Sequence, residues 1–114
     1  MNRKVFALGR MKSGQMNRTE AAYAAYLERQ KQIGEIAWYR FESIKLKVAD
    51  NRCWYAPDFV VMKSTGEIQL HEVKGSKAIF QDDARVKCKV VSDEYPFRLF
   101  VCYPKKGDWL LEEL

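Results

Sequence analysis

The feature that most constrains the fold is a short turn, Ser64-Thr65-Gly66, between two apolar runs, Phe59-Val60-Val61-Met62 and Ile68-Gln69-Leu70-His71-Glu72-Val73. A Gly-containing loop of about three residues between such runs predicts a β-hairpin. Closing that loop pairs Lys63 with Glu67, and counting back along both strands sets Asp58 opposite Glu72. Strand alternation then puts Val60, Met62, Ile68 and Leu70 on one face with Asp58, Glu72 and Lys74. Lys63, Glu67, Gln69 and His71, the only histidine, fall on the other face, where the expectation is solvent.

Two acids and a lysine therefore continue a core-facing stripe, where unpaired ionised groups cost roughly several kcal/mol. Carboxylates facing each other across a sheet repel, and a divalent cation keeps both ionised. Magnesium is the expected ion, because hard carboxylate oxygens suit it and it completes its shell with water and substrate phosphate. Lys74, two residues beyond Glu72, can orient the attacking water and stabilise charge developing on phosphorus. The alternative is an ordinary hairpin with a surface Glu/Lys pair, worth only a few tenths of a kcal/mol.

Pro57-Asp58 followed by Glu72-Val73-Lys74 resembles the signature of the PD-(D/E)XK nuclease superfamily. The longer context, Tyr55-Ala56-Pro57-Asp58-Phe59 and His71-Glu72-Val73-Lys74-Gly75, is similar to small phage and prophage nucleases and, more loosely, to Holliday-junction resolvases. The resemblance implies cleavage of phosphodiester bonds with magnesium, for which manganese substitutes. Asp58 and Glu72 would be the metal ligands with the backbone carbonyl of Val73, and Lys74 the third catalytic group. It also implies that Glu20 is the acid that many members carry on the first helix. From the residues alone Glu20 reads equally as the N3 member of a loose capping box begun by Asn17.

The chain of 114 residues, 47% of them apolar, predicts one compact domain. No apolar run approaches the ~20 residues of a membrane span, and Met1-Asn2-Arg3-Lys4 is not followed by a signal-peptide core. The expected location is the cytoplasm, the host's if the chain is phage-encoded. Three widely spaced cysteines, Cys53, Cys88 and Cys102, indicate neither a disulfide framework nor a zinc site. Arg3, Lys4, Arg10, Lys12 and Arg18 precede the first acid, and the remaining fifteen bases balance fifteen acids, so the formal charge of +5 belongs to the N-terminal segment. Residues 1–16 are predicted to form a basic flexible arm suited to DNA phosphates, or simply a solvated terminus, and 17–114 the domain.

Residues 17–33 predict a helix with Tyr23, Tyr26, Leu27 and Ile33 facing the core and Gly34 as its stop. Strand-like alternation from Ile36 to Val48, a turn at Asp50-Asn51, and a strand from Cys53 to Val61 predict a three-stranded antiparallel meander with the hairpin. Pro57 marks an edge, a bulge or the start of a strand. A second helix is predicted over 79–92, with Val86, Val90 and Val91 buried, followed by strands at 98–103 and 109–111. The strand-helix-strand run permits a parallel crossover. The expected fold is α/β, a mixed sheet of four to five strands flanked by helices, in the order αβββαβ. Lys87 and Lys89 are both candidates for contact with the scissile phosphate, since the resemblance implies a basic residue on this helix; a solvated face is the simpler reading.

The expected function is a metal-dependent DNA endonuclease, selective for branched or junction DNA, acting as a homodimer without a small-molecule cofactor or a membrane. The alternative is a nucleic-acid-binding module that keeps the fold with an idle site. The sequence names the phosphate chemistry better than the polymer, so RNA or single strands stay open.

Overall fold

The computed structural model describes residues 14–77 and 82–114. Arg3, Lys4, Arg10 and Lys12, and the start predicted for the second helix at Ile79, lie outside the described residues. The elements are α1 (Arg18–Gln32), β1 (Ile36–Phe41), β2 (Leu46–Ala49), β3 (Cys53–Tyr55), β4 (Phe59–Lys63), β5 (Ile68–Val73), α2 (Asp82–Glu94), β6 (Arg98–Lys105) and β7 (Asp108–Glu113). Five strands form a mixed sheet in the order β1-β4-β5-β6-β7, and β2-β3 is a separate two-stranded ribbon. All neighbours in the large sheet are antiparallel except β5 and β6, joined in parallel through α2.

The central hairpin has the register that its turn chemistry dictates. Phe59 pairs with His71, Val60 with Leu70, Val61 with Gln69 and Met62 with Ile68. Lys63 N–H donates to Glu67 O at 2.8 Å and Gly66 N–H to Lys63 O at 2.8 Å, with Gly66 at φ +97°, the left-handed value that closes such a loop.

The chain order is αβββββαββ rather than the expected αβββαβ. Three departures account for it, the first being that the predicted strand from Ile36 to Val48 breaks at 42–45, where Glu42 has φ +46°. The predicted strand from Cys53 to Val61 breaks at 56–58, where Pro57 has no N–H for a ladder. The predicted meander consequently splits: β2 and β3 pair only with each other, and β1 crosses to β4, placing Tyr39 opposite Val61 and Phe41 opposite Phe59. At the other end β7 is a full strand closed against β6 by a two-residue turn, Lys106-Gly107, both at positive φ, as a twisted hairpin requires.

The sheet is covered on both faces. On one, Tyr23 and Leu27 of α1 pack against Ile36, Phe59, Val61, Val73 and Cys102. On the other, Cys88 and Val91 of α2, together with Tyr55, pack on Val60, Leu70, Leu99, Val101 and Tyr103. The ribbon lends Leu46 and Val48 to this second core.

Double coverage corrects three expectations. His71 and Gln69 do not face solvent: at 3% and 6% exposure they lie under α1, because β5 is a central strand buried on both sides. Ile33 is 69% exposed, since it is the C-cap of α1 and points past the core. Val86 is 59% exposed, and Cys88 takes the buried position on α2 with Val91.

Candidate active site

Asp58 and Glu72 meet where β4 begins and β5 ends, and the break at Pro57 explains their arrangement. Continuing the β4–β5 register sets Val73 opposite Pro57 at a position where a ladder would exchange two hydrogen bonds. Pro57 cannot donate. Asp58 directs its backbone carbonyl to Glu42 N–H at 2.9 Å, and its Oδ2 accepts the Val73 N–H at 2.8 Å in place of a ladder carbonyl. On the opposite side Lys74 N–H donates to Cys102 O at 3.0 Å, holding the end of β5 to β6. The Val73 carbonyl shares an edge with its own N–H, towards Asp58, and Pro57 has no proton to offer it.

Glu72 is 6% exposed and its two oxygens have different partners. Oε1 accepts the Tyr55 hydroxyl at 2.5 Å, and Oε2 stands 3.3 Å from Lys74 Nζ. Burial pushes the Asp58 carboxyl up to about 8; the Glu72 charge adds to the rise, and the Val73 N–H and Lys74 oppose it. Burial also raises the Glu72 carboxyl, against the lowering effects of Lys74 and the Tyr55 hydroxyl. A buried and a half-buried acid that resist ionisation beside one ammonium form an electron-rich site that accepts a proton or a cation.

Glu20 is the N3 residue of a complete capping box: Asn17 Oδ1 accepts Glu20 N–H at 2.8 Å and Glu20 Oε1 accepts Asn17 N–H at 2.9 Å. Its charge nonetheless raises both Asp58 and Glu72, so the start of α1 borders the acid pair. Arg18, the first residue of α1, is exposed. Lys87 turns towards the ribbon and donates to Trp54 O at 3.1 Å, beside an open depression that it lines with Val48, Cys53, Asp83 and Val86. Lys89 is exposed next to the buried Cys88. Neither lysine contacts Asp58 or Glu72 through any bond the structure shows.

The donor set suits a hard divalent ion. It offers two carboxylates, Glu72 buried and Asp58 half-buried, whose mutual repulsion a cation relieves, and the Val73 carbonyl that Pro57 leaves without a strand donor. Among the described residues no group of three His, Cys, Asp or Glu side chains is gathered as a metal cluster.

Sequence reasoning missed two partners. Tyr55 stands three residues before Asp58, across the Pro57 break, where strand parity cannot be counted; a tyrosine ending a strand before a buried acid is the available signal. The second is a network under α1: Tyr23 Oη lies 2.6 Å from His71 Nδ1, Gln69 Oε1 3.0 Å from His71 Nε2, and Cys102 Sγ donates to the Tyr23 hydroxyl at 3.2 Å. Burial pushes the imidazole down to about 3, so it is neutral and structural.

No family model, curated protein or solved structure matches the chain. No helix among the described residues is long and apolar enough to cross a membrane.

Proposed function

We propose that the chain is a metal-dependent DNA endonuclease of the PD-(D/E)XK type, hydrolysing phosphodiester bonds by direct attack of water. The observation that carries this reading is the Asp58–Glu72 pair, the first half-buried and the second buried, with the Lys74 ammonium 3.3 Å from Glu72 Oε2. Asp58, Glu72 and the Val73 carbonyl would hold magnesium or manganese, which when bound neutralises the acids and polarises the phosphate.

The chain's own groups have distinct tasks. The Val73 N–H fixes the Asp58 carboxylate and the Tyr55 hydroxyl fixes that of Glu72, so both acids are set before substrate arrives. Lys74, 22% exposed at its side chain, reaches from Glu72 towards solvent, where it orients the attacking water and offsets charge on the phosphoryl oxygens. Glu20 borders the pair and tunes its charge. Arg18, Lys89 and the basic residues of the N-terminal segment are assigned to phosphate contacts, with Lys87 anchoring the ribbon. A domain of this size offers limited surface to a duplex, and we assign it a homodimeric state, which light scattering with and without DNA tests.

One observation favours a second reading, an idle site on a nucleic-acid-binding module. Glu72 and Asp58 each have an internal partner, the Tyr55 hydroxyl and the Val73 N–H, so both side chains are held in place without an ion. Incubation of a labelled four-way junction and a matched linear duplex with magnesium, manganese or EDTA separates the two. The nuclease reading expects metal-dependent products, with preference for the junction; tight binding without products in any metal supports the idle module.

A further inference from the structure

The β2–β3 ribbon contributes Tyr55 to the chemistry above through its inner face, while its outer face holds an exposed tryptophan among basic side chains. The pairings Leu46↔Tyr55 and Lys47↔Trp54 turn alternate residues to opposite faces. Leu46 and Tyr55 pack inwards, whereas Lys47 and Trp54 point out, with Trp54 43% exposed. Lys45 Nζ stands 5.7 Å from the centroid of the indole. Residues 43–55 carry three bases, Lys45, Lys47 and Arg52, against one acid, Asp50, which lies 3.6 Å from Lys47. Arg52 has φ +54°, a left-handed value that Gly or Asn adopts at less cost, so the turn keeps a guanidinium there against backbone preference.

The ribbon is also held in place. The Tyr95 hydroxyl donates to Lys47 O at 2.7 Å and Lys87 Nζ to Trp54 O at 3.1 Å, tying both strands to the α2 region. A fixed, outward indole flanked by Lys45 and Lys47 suits a flat π-face carried on an anionic chain. It suits a protein partner poorly, because lysine is depleted in protein interfaces. Paired bases within a duplex are stacked on one another and offer no free face, whereas an unpaired base does.

We infer that the outer face of the β2–β3 ribbon docks single-stranded DNA, Trp54 stacking on an unpaired base while Lys45, Lys47 and Arg52 take the flanking phosphates. The choice of DNA rests on the nuclease reading and deepens it: the substrate carries unpaired bases.

The test is a titration of the full chain in EDTA, where no cutting occurs, with a labelled blunt duplex and with the same duplex bearing an overhang of about ten thymidines. Wild type is expected to bind the overhang DNA about tenfold more tightly than the blunt duplex, and Trp54→Ala to lose that preference. Trp54→Phe keeps most of it, and Lys45→Ala reduces the slope of log affinity against log salt by about 1. Equal affinity of wild type for the two DNAs overturns the docking site, as does a Trp54→Ala preference equal to that of wild type. Failure to cut in magnesium with the overhang preference intact counts against the nuclease reading alone.

Discussion

Tyr55 donates its hydroxyl to Glu72 Oε1 at 2.5 Å while Lys74 Nζ stands 3.3 Å from Oε2, so both oxygens of one buried acid have a partner. Tyr55→Phe removes a donor and leaves a buried carboxylate oxygen short of a partner. The expected cost is about 1–3 kcal/mol, read as a lower urea midpoint at unchanged slope. Because the hydroxyl lowers the Glu72 pKa, the variant should also bind manganese more weakly at pH 6 than wild type and recover at higher pH. Calorimetric titration at two pH values measures this; identical manganese affinity at pH 6 would detach Tyr55 from the site.

Asp58 sets a pH dependence of stability with a definite sign. Its carboxyl rises from the usual 3.8 to about 8, so between those values the folded protein holds a proton that the unfolded chain releases. The contribution is fully present below about pH 4 and is lost as pH climbs through 8, by at most about 1.4 kcal/mol per pH unit. Thermal melts should therefore fall between pH 5 and 8 in wild type and fall less in Asp58→Asn, whose side chain carries no charge at either end. Saturating magnesium should restore the wild-type midpoint at pH 8, since the ion replaces the proton. A midpoint at pH 8 that ignores magnesium in wild type contradicts the proposed ligand pair.

His71 acts in the opposite direction. Its imidazole falls from 6.5 to about 3, so its contribution is fully present above pH 6.5 and is lost as pH falls towards 3. His71→Leu leaves the Tyr23 hydroxyl without its 2.6 Å partner and should cost about 1–3 kcal/mol at pH 7. A double-mutant cycle with Tyr23→Phe is expected to show a coupling of about 1 kcal/mol. Nitrogen chemical shifts of the ring should stay those of a neutral imidazole from pH 5 to 8; a titration near 6.5 would mean that the ring is reached by water.

The hairpin carried most of what could be read in advance. Turn chemistry at Ser64-Thr65-Gly66 fixed the pairing from Lys63/Glu67 back to Phe59/His71, and that register brought Asp58, Glu72 and Lys74 together. Period alone could not say how many faces of β5 are buried, because a neutral histidine with two partners tolerates the core as an exposed one tolerates water; hence His71 was misplaced. The boundaries of β3 and β4 depended on how Pro57 ends one ladder and starts another. Tyr55 lay beyond that break, where counting fails. On α2, Val86 and Cys88 are both apolar enough for a core, and only packing against Val60 and Leu70 selects Cys88.

Glu20 separates capping from electrostatics, since glutamine preserves the first and removes the second. Glu20→Gln keeps the capping-box geometry and should hold stability to within about 0.5 kcal/mol, whereas Asn17→Ala should cost about 1 kcal/mol. Loss of the Glu20 charge relieves Asp58, so the rise of metal affinity with pH should begin at lower pH in Glu20→Gln. A variant whose stability drops as far as that of Asn17→Ala would show that the carboxylate charge itself is needed at the cap.

The most direct test of the central claim is the single-turnover rate of junction cleavage in magnesium for wild type, Asp58→Asn and Lys74→Ala, each first shown to melt cooperatively. The account predicts metal-dependent cutting by wild type and a loss of at least about 100-fold in each variant, as expected for groups that position water and stabilise developing charge. Cutting by Lys74→Ala at the wild-type rate, or none by folded wild type on the junction or its linear control, would contradict it.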